Sequence, residues 1–163
     1  MLRWATNIIV GWALLGGVIL LLIVLMTTYS AAAGFLIASP LPGDFELTEM
    51  GVAVASFAFL PYCQLTFANV SADVFTAKMK PAKVRFLNRV GSLVAAAFSI
   101  LLLWRMYEGL LDYQMYLETT TILQIPIWFA FLPALFSLLL LLLSSLITFV
   151  HPDGVPETTL TSQ

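Results

Sequence analysis

The sequence predicts an all-α, polytopic integral membrane protein with four transmembrane helices and both termini on the inner side. Three observations carry this. Four long apolar runs, at residues 8–26, 50–68, 90–104 and 125–150, are almost free of charge. A bilayer-crossing helix needs roughly 20 mostly apolar residues, because each residue rises about 1.5 Å across a hydrocarbon core of about 30 Å. The composition agrees: 61% of residues are hydrophobic and 10% charged, with a mean hydropathy of +0.99. Soluble domains carry about a quarter charged residues. Finally, Lys78, Lys80, Lys83, Arg85 and Arg89 cluster between the second and third runs, and Arg3 precedes the first. Short loops rich in Lys and Arg stay inside, which puts the N-terminus, the middle loop and the tail on that side.

The elements follow in order. The first helix is expected over residues 8–30. Arg3 and the small residues at 31–34 suit a signal peptide, but an apolar run from 8 to 26 exceeds the roughly 7–15 residues of a signal core, so a retained helix is expected. Ser39-Pro40-Leu41-Pro42-Gly43-Asp44 then makes an outer turn. Asp44, Glu46 and Glu49 suit the positive dipole end of a second helix, expected over 46–70. Pro81 favours a helix's first position, and a third helix is expected over 83–107. Lys78, Lys80, Lys83, Arg85 and Arg89 would meet lipid headgroups, with Arg85 and Arg89 on one face.

Within the third run, Gly91, Ala95 and Ser99 form a row of small residues, with Ser92 and Ala96 beside it. Such rows let helices approach closely in lipid, either within the bundle or against another subunit. Ala13 with Gly17, and Gly51 with Ala55, are shorter versions. The second outer connection, residues 107–124, is more polar. Trp104, Tyr107, Tyr113 and Tyr116 there match an aromatic belt at headgroup depth. A fourth helix is expected over 125–150, bent at Pro133. The organisation is thus a four-helix membrane domain over 1–150 and a cytoplasmic tail over 151–163.

The polar groups exclude most chemistry. No ionisable residue lies in the middle of the four runs, where an ion or proton path would need one. The first helix lacks the deep acid of a small multidrug antiporter. The single histidine, His151, falls in the tail, so paired haem ligands are absent. Cys63 is alone, which removes an internal disulfide or a Cys-x-x-Cys site and leaves a small packing residue. No nucleophile has a base beside it. No catalytic residue, cofactor or metal is expected, and no basic stripe suggests nucleic acid. Asp73 is read as an interfacial acid paired with a nearby Lys or Arg. At the outer surface an ion pair is expected between Arg105 and either Glu49 or Glu108. Asp44, Glu46 and Glu49 lead an acidic outer rim, with Glu108, Asp112 and Glu118, that could attract a docking protein.

The pattern resembles the small membrane subunit of tripartite ATP-independent periplasmic (TRAP) transporters, over roughly residues 8–145. Phe45-Glu46-Leu47-Thr48-Glu49 resembles the family's acidic opening of the second helix, although Gly-Asp-Phe-Glu stands where the family usually has Trp-Ser-Glu-Glu. Asn69-Val70-Ser71-Ala72-Asp73-Val74-Phe75, Lys80-Pro81-Ala82-Lys83-Val84-Arg85 and Ile125-Pro126-Ile127-Trp128 are similar to later family segments. The resemblance implies a non-catalytic partner of a large multi-helix permease subunit that houses the sodium and substrate sites. It also implies a periplasmic substrate-binding protein, often delivering an organic acid, and a bacterial or archaeal cytoplasmic membrane. The small subunit of tripartite tricarboxylate systems and a membrane scaffold or assembly protein are the alternatives.

Overall fold

The computed structural model describes residues 2–68 and 81–151. Lys78, Lys80, Asp73 and the segment 69–75, together with the tail beyond His151, lie outside the described residues. Four helices make up the described chain: α1 (Leu2–Ile37), α2 (Asp44–Leu65), α3 (Pro81–Tyr116) and α4 (Trp128–Val150). Three of them, α1, α3 and α4, are long and apolar enough to cross a membrane. α2 is not among these. Glu49, Gln64, Pro61 and Tyr62 dilute its apolar character.

The helix ends differ from the expected ones. α1 and α3 have 36 residues each, about 54 Å at the α-helical rise and well beyond a 30 Å core. α1 continues past residue 30 because Tyr29 to Ile37 contains no proline and its one glycine, Gly34, is tolerated, and it stops only ahead of Pro40, with Ala38 at a φ of 52°. α3 runs on through Tyr116, so the aromatic residues from Trp104 to Tyr116 stand on a helix and the connection shrinks to residues 117–127. α4 begins at Trp128, although Phe129 N–H already bonds the Pro126 carbonyl at 3.1 Å.

α4 is the hub, packing on α2 and α3, while α1 packs on α2. The side chains turned inward on α4 are Ala134, Ser137, Leu138, Leu141, Ser144, Ser145 and Thr148. The pattern repeats every seven residues, 134–141–148 with 137/138 and 144/145 between, which keeps one seam facing its neighbours along the helix. On α1, Thr6, Ile9, Ala13 and Gly16 do the same. Many buried positions are small or hydroxyl-bearing, beside Ile9, Leu65, Leu138 and Leu141, while Leu21, Leu25, Phe98, Leu101 and Trp104 are exposed. That inversion suits lipid, where apolar surface gains nothing by leaving the solvent and close backbone approach drives packing.

Glycines mark close packing between α1 and α2. A methyl group added at Gly16 would sit 2.7 Å from Ala58 Cβ, and one added at Gly51 would collide with Ile23. Gly16 therefore makes the tight contact, whereas at Gly17 the nearest atom, of Phe59, is 4.0 Å away. The row expected on α3 also shifts. Ser92 and Ser99 are buried and Ala95 is half-buried, but Gly91 is exposed with nothing within 4 Å of an added Cβ. A strict four-residue spacing drifts about 40° around the helix per step, so Gly91 rotates out and Ser92 takes its place.

Candidate functional site

Two polar assemblies stand at opposite ends of the bundle. At the end holding the α1 N-terminus, Gln64 near the end of α2 donates from Nε2 to Thr148 Oγ1 at 3.1 Å. Ser92 of α3 shares a 2.9 Å hydrogen bond with the same hydroxyl. Thr148 Oγ1 also bonds back to the Ser144 carbonyl at 3.0 Å. One hydroxyl thereby ties α2, α3 and α4 together. Nearer mid-bundle, Trp12 Nε1 donates to Ser137 Oγ at 2.8 Å, and its ring meets Phe136 edge-on at 4.6 Å, linking α1 to α4. Among the described residues no buried side-chain polar atom lacks a partner. These bonds consume the buried hydroxyls. They fix helix register and leave no activated nucleophile.

The opposite end holds the acids. Ser30, buried on α1, donates to an Asp44 carboxylate oxygen and accepts the Leu41 N–H at 3.1 Å. The other Asp44 oxygen accepts the Phe45 N–H at 2.7 Å. Gly43, at a φ of 78°, precedes the helix, and the Leu123 side chain occupies the space its Cβ would fill. One turn on, Glu46 reaches the 117–127 connection. Its Oε1 accepts the Ile122 N–H at 2.6 Å and its Oε2 the Leu123 N–H at 3.0 Å.

The connection itself is a small hairpin. Thr120 N–H bonds the Ile125 carbonyl at 3.0 Å, and Ile127 N–H bonds the Glu118 carbonyl at 3.1 Å. Desolvation pushes the Glu46 carboxyl up, but the N–H groups of Leu123 and Ile122, the Thr120 hydroxyl and the Thr121 N–H outweigh it. The net effect holds the carboxyl below its ordinary value of 4.5.

Beside this junction lies a cavity of about 260 Å³ between α2, α3 and α4. Its walls are mostly apolar, with Met50, Phe57, Met106 and Phe131, and both Glu46 and Glu49 line it. Thr120 and Ile127 contribute the hairpin's share of the wall. Tyr113 packs on Phe131 with ring centroids 5.1 Å apart.

The residues singled out in the sequence therefore separate. Asp44 and Glu46 have partners within the chain, while Glu49 is exposed at the cavity. Arg105 and Glu108 are exposed on α3, and among the described residues the structure records no ion pair joining Arg105 to Glu49 or Glu108. Lys83, Arg85 and Arg89 are exposed on the first turns of α3, at the far end from the acids. Cys63 is half-buried on α2. Sequence reading missed Gln64, Thr148, Trp12 and Ser137. The signal was present as Ser137, Ser144, Ser145 and Thr148, recurring at helical spacing inside a leucine-rich run.

Neither a curated protein nor a solved structure gives a match to the chain. A family profile, that of the DctQ component of tripartite ATP-independent periplasmic transporters, matches residues 23–153. It covers α2, α3, α4 and the second half of α1, with both the Thr148 node and the Glu46 junction inside it. An all-helical architecture with lipid-suited surfaces and hydroxyl-bonded seams accords with a transport component, and the chain belongs to the DctQ family of small TRAP-transporter components.

Proposed function

We propose that the chain is the non-catalytic small permease subunit of a sodium-coupled, binding-protein-dependent importer of organic acids. In this reading it stabilises a large multi-helix permease subunit in a bacterial or archaeal cytoplasmic membrane. The observation that carries the reading is the lack of any Asp, Glu, Lys, Arg or His between Trp4 and Ile37, between Met50 and Leu65, between Val90 and Trp104, and throughout α4. A sodium or substrate path through these helices would need such groups or a lined polar cavity at mid-depth. The ion and substrate sites therefore belong to the partner.

All four helices cross the membrane in this arrangement, with the Lys83, Arg85 and Arg89 end inside, facing anionic lipid, and the Glu46 end outside. α2 has 22 residues, about 33 Å, long enough to cross when flanked by α1 and α4. Gly91, Ala95 and the exposed apolar face of α3 offer the large subunit a surface, since no described residue covers Gly91. At the outer end Glu49, Glu108, Asp112 and Glu118 would draw basic residues of the binding protein, with Asp44 and Glu46 engaged inside the chain. The experiment is co-purification of the large subunit with this chain, wild type and Ala95→Phe. Recovery with wild type and loss with the variant is expected. Failure of the wild-type chain to retain a large membrane subunit would overturn the reading.

A further inference from the structure

We propose that residues 117–127 form a hinged strap, latched by the Glu46 carboxylate against the start of α2, whose release opens the cavity beside it. The inference rests on the backbone and its contacts and does not depend on the transport reading. Leu117, where the chain leaves α3, has a φ of 51°, and Gln124, at the return, has a φ of 52°. Non-glycine residues disfavour this left-handed region and hold it only when surrounding contacts impose it. The segment between them is a short ladder, closed by the Thr119–Pro126 bridge and the Ile125 N–H bond to Thr120 Oγ1 at 3.0 Å.

Residues 121–123 at the hairpin's tip gain their hold from α2. Glu46 takes the N–H groups of Ile122 and Leu123, and the Leu123 side chain seats where Gly43 has no Cβ. Gly43 and Glu46 are three residues apart, so one turn of α2 supplies both the seat and the clasp. Any side chain at position 43 would displace Leu123. With Glu46 removed, two backbone donors lose their acceptor and the two left-handed residues lose the contact that holds them.

Thr120 and Ile127 wall the cavity, so displacement of the strap widens access to Met50, Phe57 and Phe131. The other ionisable groups at this end are Asp44 and Glu49 on α2, Glu118 in the strap, Tyr29 on α1, and Arg105, Tyr107, Glu108, Asp112, Tyr113 and Tyr116 on α3; α4 has none. Asp44 is held by Ser30, and among the described residues no cation is recorded on Glu46. The clasp is therefore made of backbone dipoles and hydroxyls, which orient a carboxylate without neutralising it.

The test is amide hydrogen exchange on the purified full chain at neutral pH, comparing wild type with Glu46→Ala and Glu46→Asp. Exchange in residues 118–125 is expected to quicken at least tenfold in Glu46→Ala and by less in Glu46→Asp, with α1 and α4 unchanged. In a Cys63→Ser background, maleimide labelling of Ala130→Cys, at a position in the cavity wall, is expected to quicken with Glu46→Ala as well. Unchanged strap exchange would overturn the latch. Exchange rising equally in all helices would also overturn it, because Glu46 would then hold the bundle rather than the strap. Quickened strap exchange with unchanged labelling at position 130 would overturn the link to the cavity.

Discussion

Glu46 shows how one side chain sets the properties of its surroundings. Its carboxyl titrates below 4.5 in the folded chain because donors at Leu123, Ile122, Thr120 and Thr121 outweigh desolvation. A depressed folded-state value stabilises the fold above the unfolded value, and the stabilisation is lost as pH falls through the folded one. The thermal midpoint of the wild-type chain in micelles should therefore exceed that of Glu46→Gln at pH 7, with the gap closing only below about pH 4.5. A gap constant down to pH 3 would assign the effect to something other than the charge. Glycine positions give a second contrast. Gly16→Val should destabilise the chain by about 1–3 kcal/mol, since overpacking forces backbone shifts, and an added methyl already sits 2.7 Å from Ala58 Cβ. Gly91→Ala should fall within about 0.5 kcal/mol of neutral, as open-surface changes do. Denaturant titration of both variants measures the difference. Sequence spacing singled out Gly91 and Gly17 and passed over Gly16, because a four-residue row catches the eye while closeness depends on which side of a helix meets its neighbour. The Glu46 junction was less legible still. Its partner Ile122 is 76 residues away, and an acid in a first turn reads equally well as a dipole partner.

The helices themselves were readable where the bilayer dictates length, and less so at their ends. Four apolar runs imply four helices, and the described chain has four. Their boundaries depend on breakers rather than on hydropathy, so α1 continues to Ile37 and α3 to Tyr116. The polar node between α2, α3 and α4 went unread because Ser and Thr inside a helix usually bond back to their own turn. Ser144, Ser145 and Thr148 do so here, while Thr148 also meets Gln64 and Ser92. Interhelical hydrogen bonds in membrane proteins average about 0.6 kcal/mol, below the 1–3 kcal/mol expected when a buried polar group loses its partner in water-soluble folds. Thr148→Val should accordingly cost about 1 kcal/mol and disturb helix register more than stability. Disulfide mapping between α2 and α4 in a Cys63→Ser background would register a slip, and an unchanged pattern would confine the node to local packing. In the strap, Gln124→Gly should raise stability by about 1 kcal/mol, the penalty a side chain meets in the left-handed region. Thermal unfolding measures this, and a loss of stability would mean the Gln124 side chain contributes more than its backbone costs.

Across the whole molecule the surfaces argue for incompleteness. α1 and α3 each expose leucine, valine and phenylalanine along most of their length, while α4 is more covered than either. Lipid satisfies such faces, yet the open side of α3 at Gly91 also admits a second backbone at close range. Among the described residues the charges largely separate by end, with Lys83, Arg85 and Arg89 at one and the acids, with Arg105, at the other. This polarity would orient the chain within a complex, and labelling of single cysteines at positions 83 and 112 from opposite sides of the membrane tests it; labelling of position 83 from outside would reverse the topology. Membership of the DctQ family and helices without mid-span charge support the proposal that this chain assists transport without performing it. The most direct measurement is uptake of a radiolabelled organic acid into sodium-gradient vesicles, with its binding protein present. The vesicles would hold this chain, the large subunit, or both. The account predicts no uptake by this chain alone and uptake when both subunits are present. Uptake into vesicles containing only this chain would contradict it.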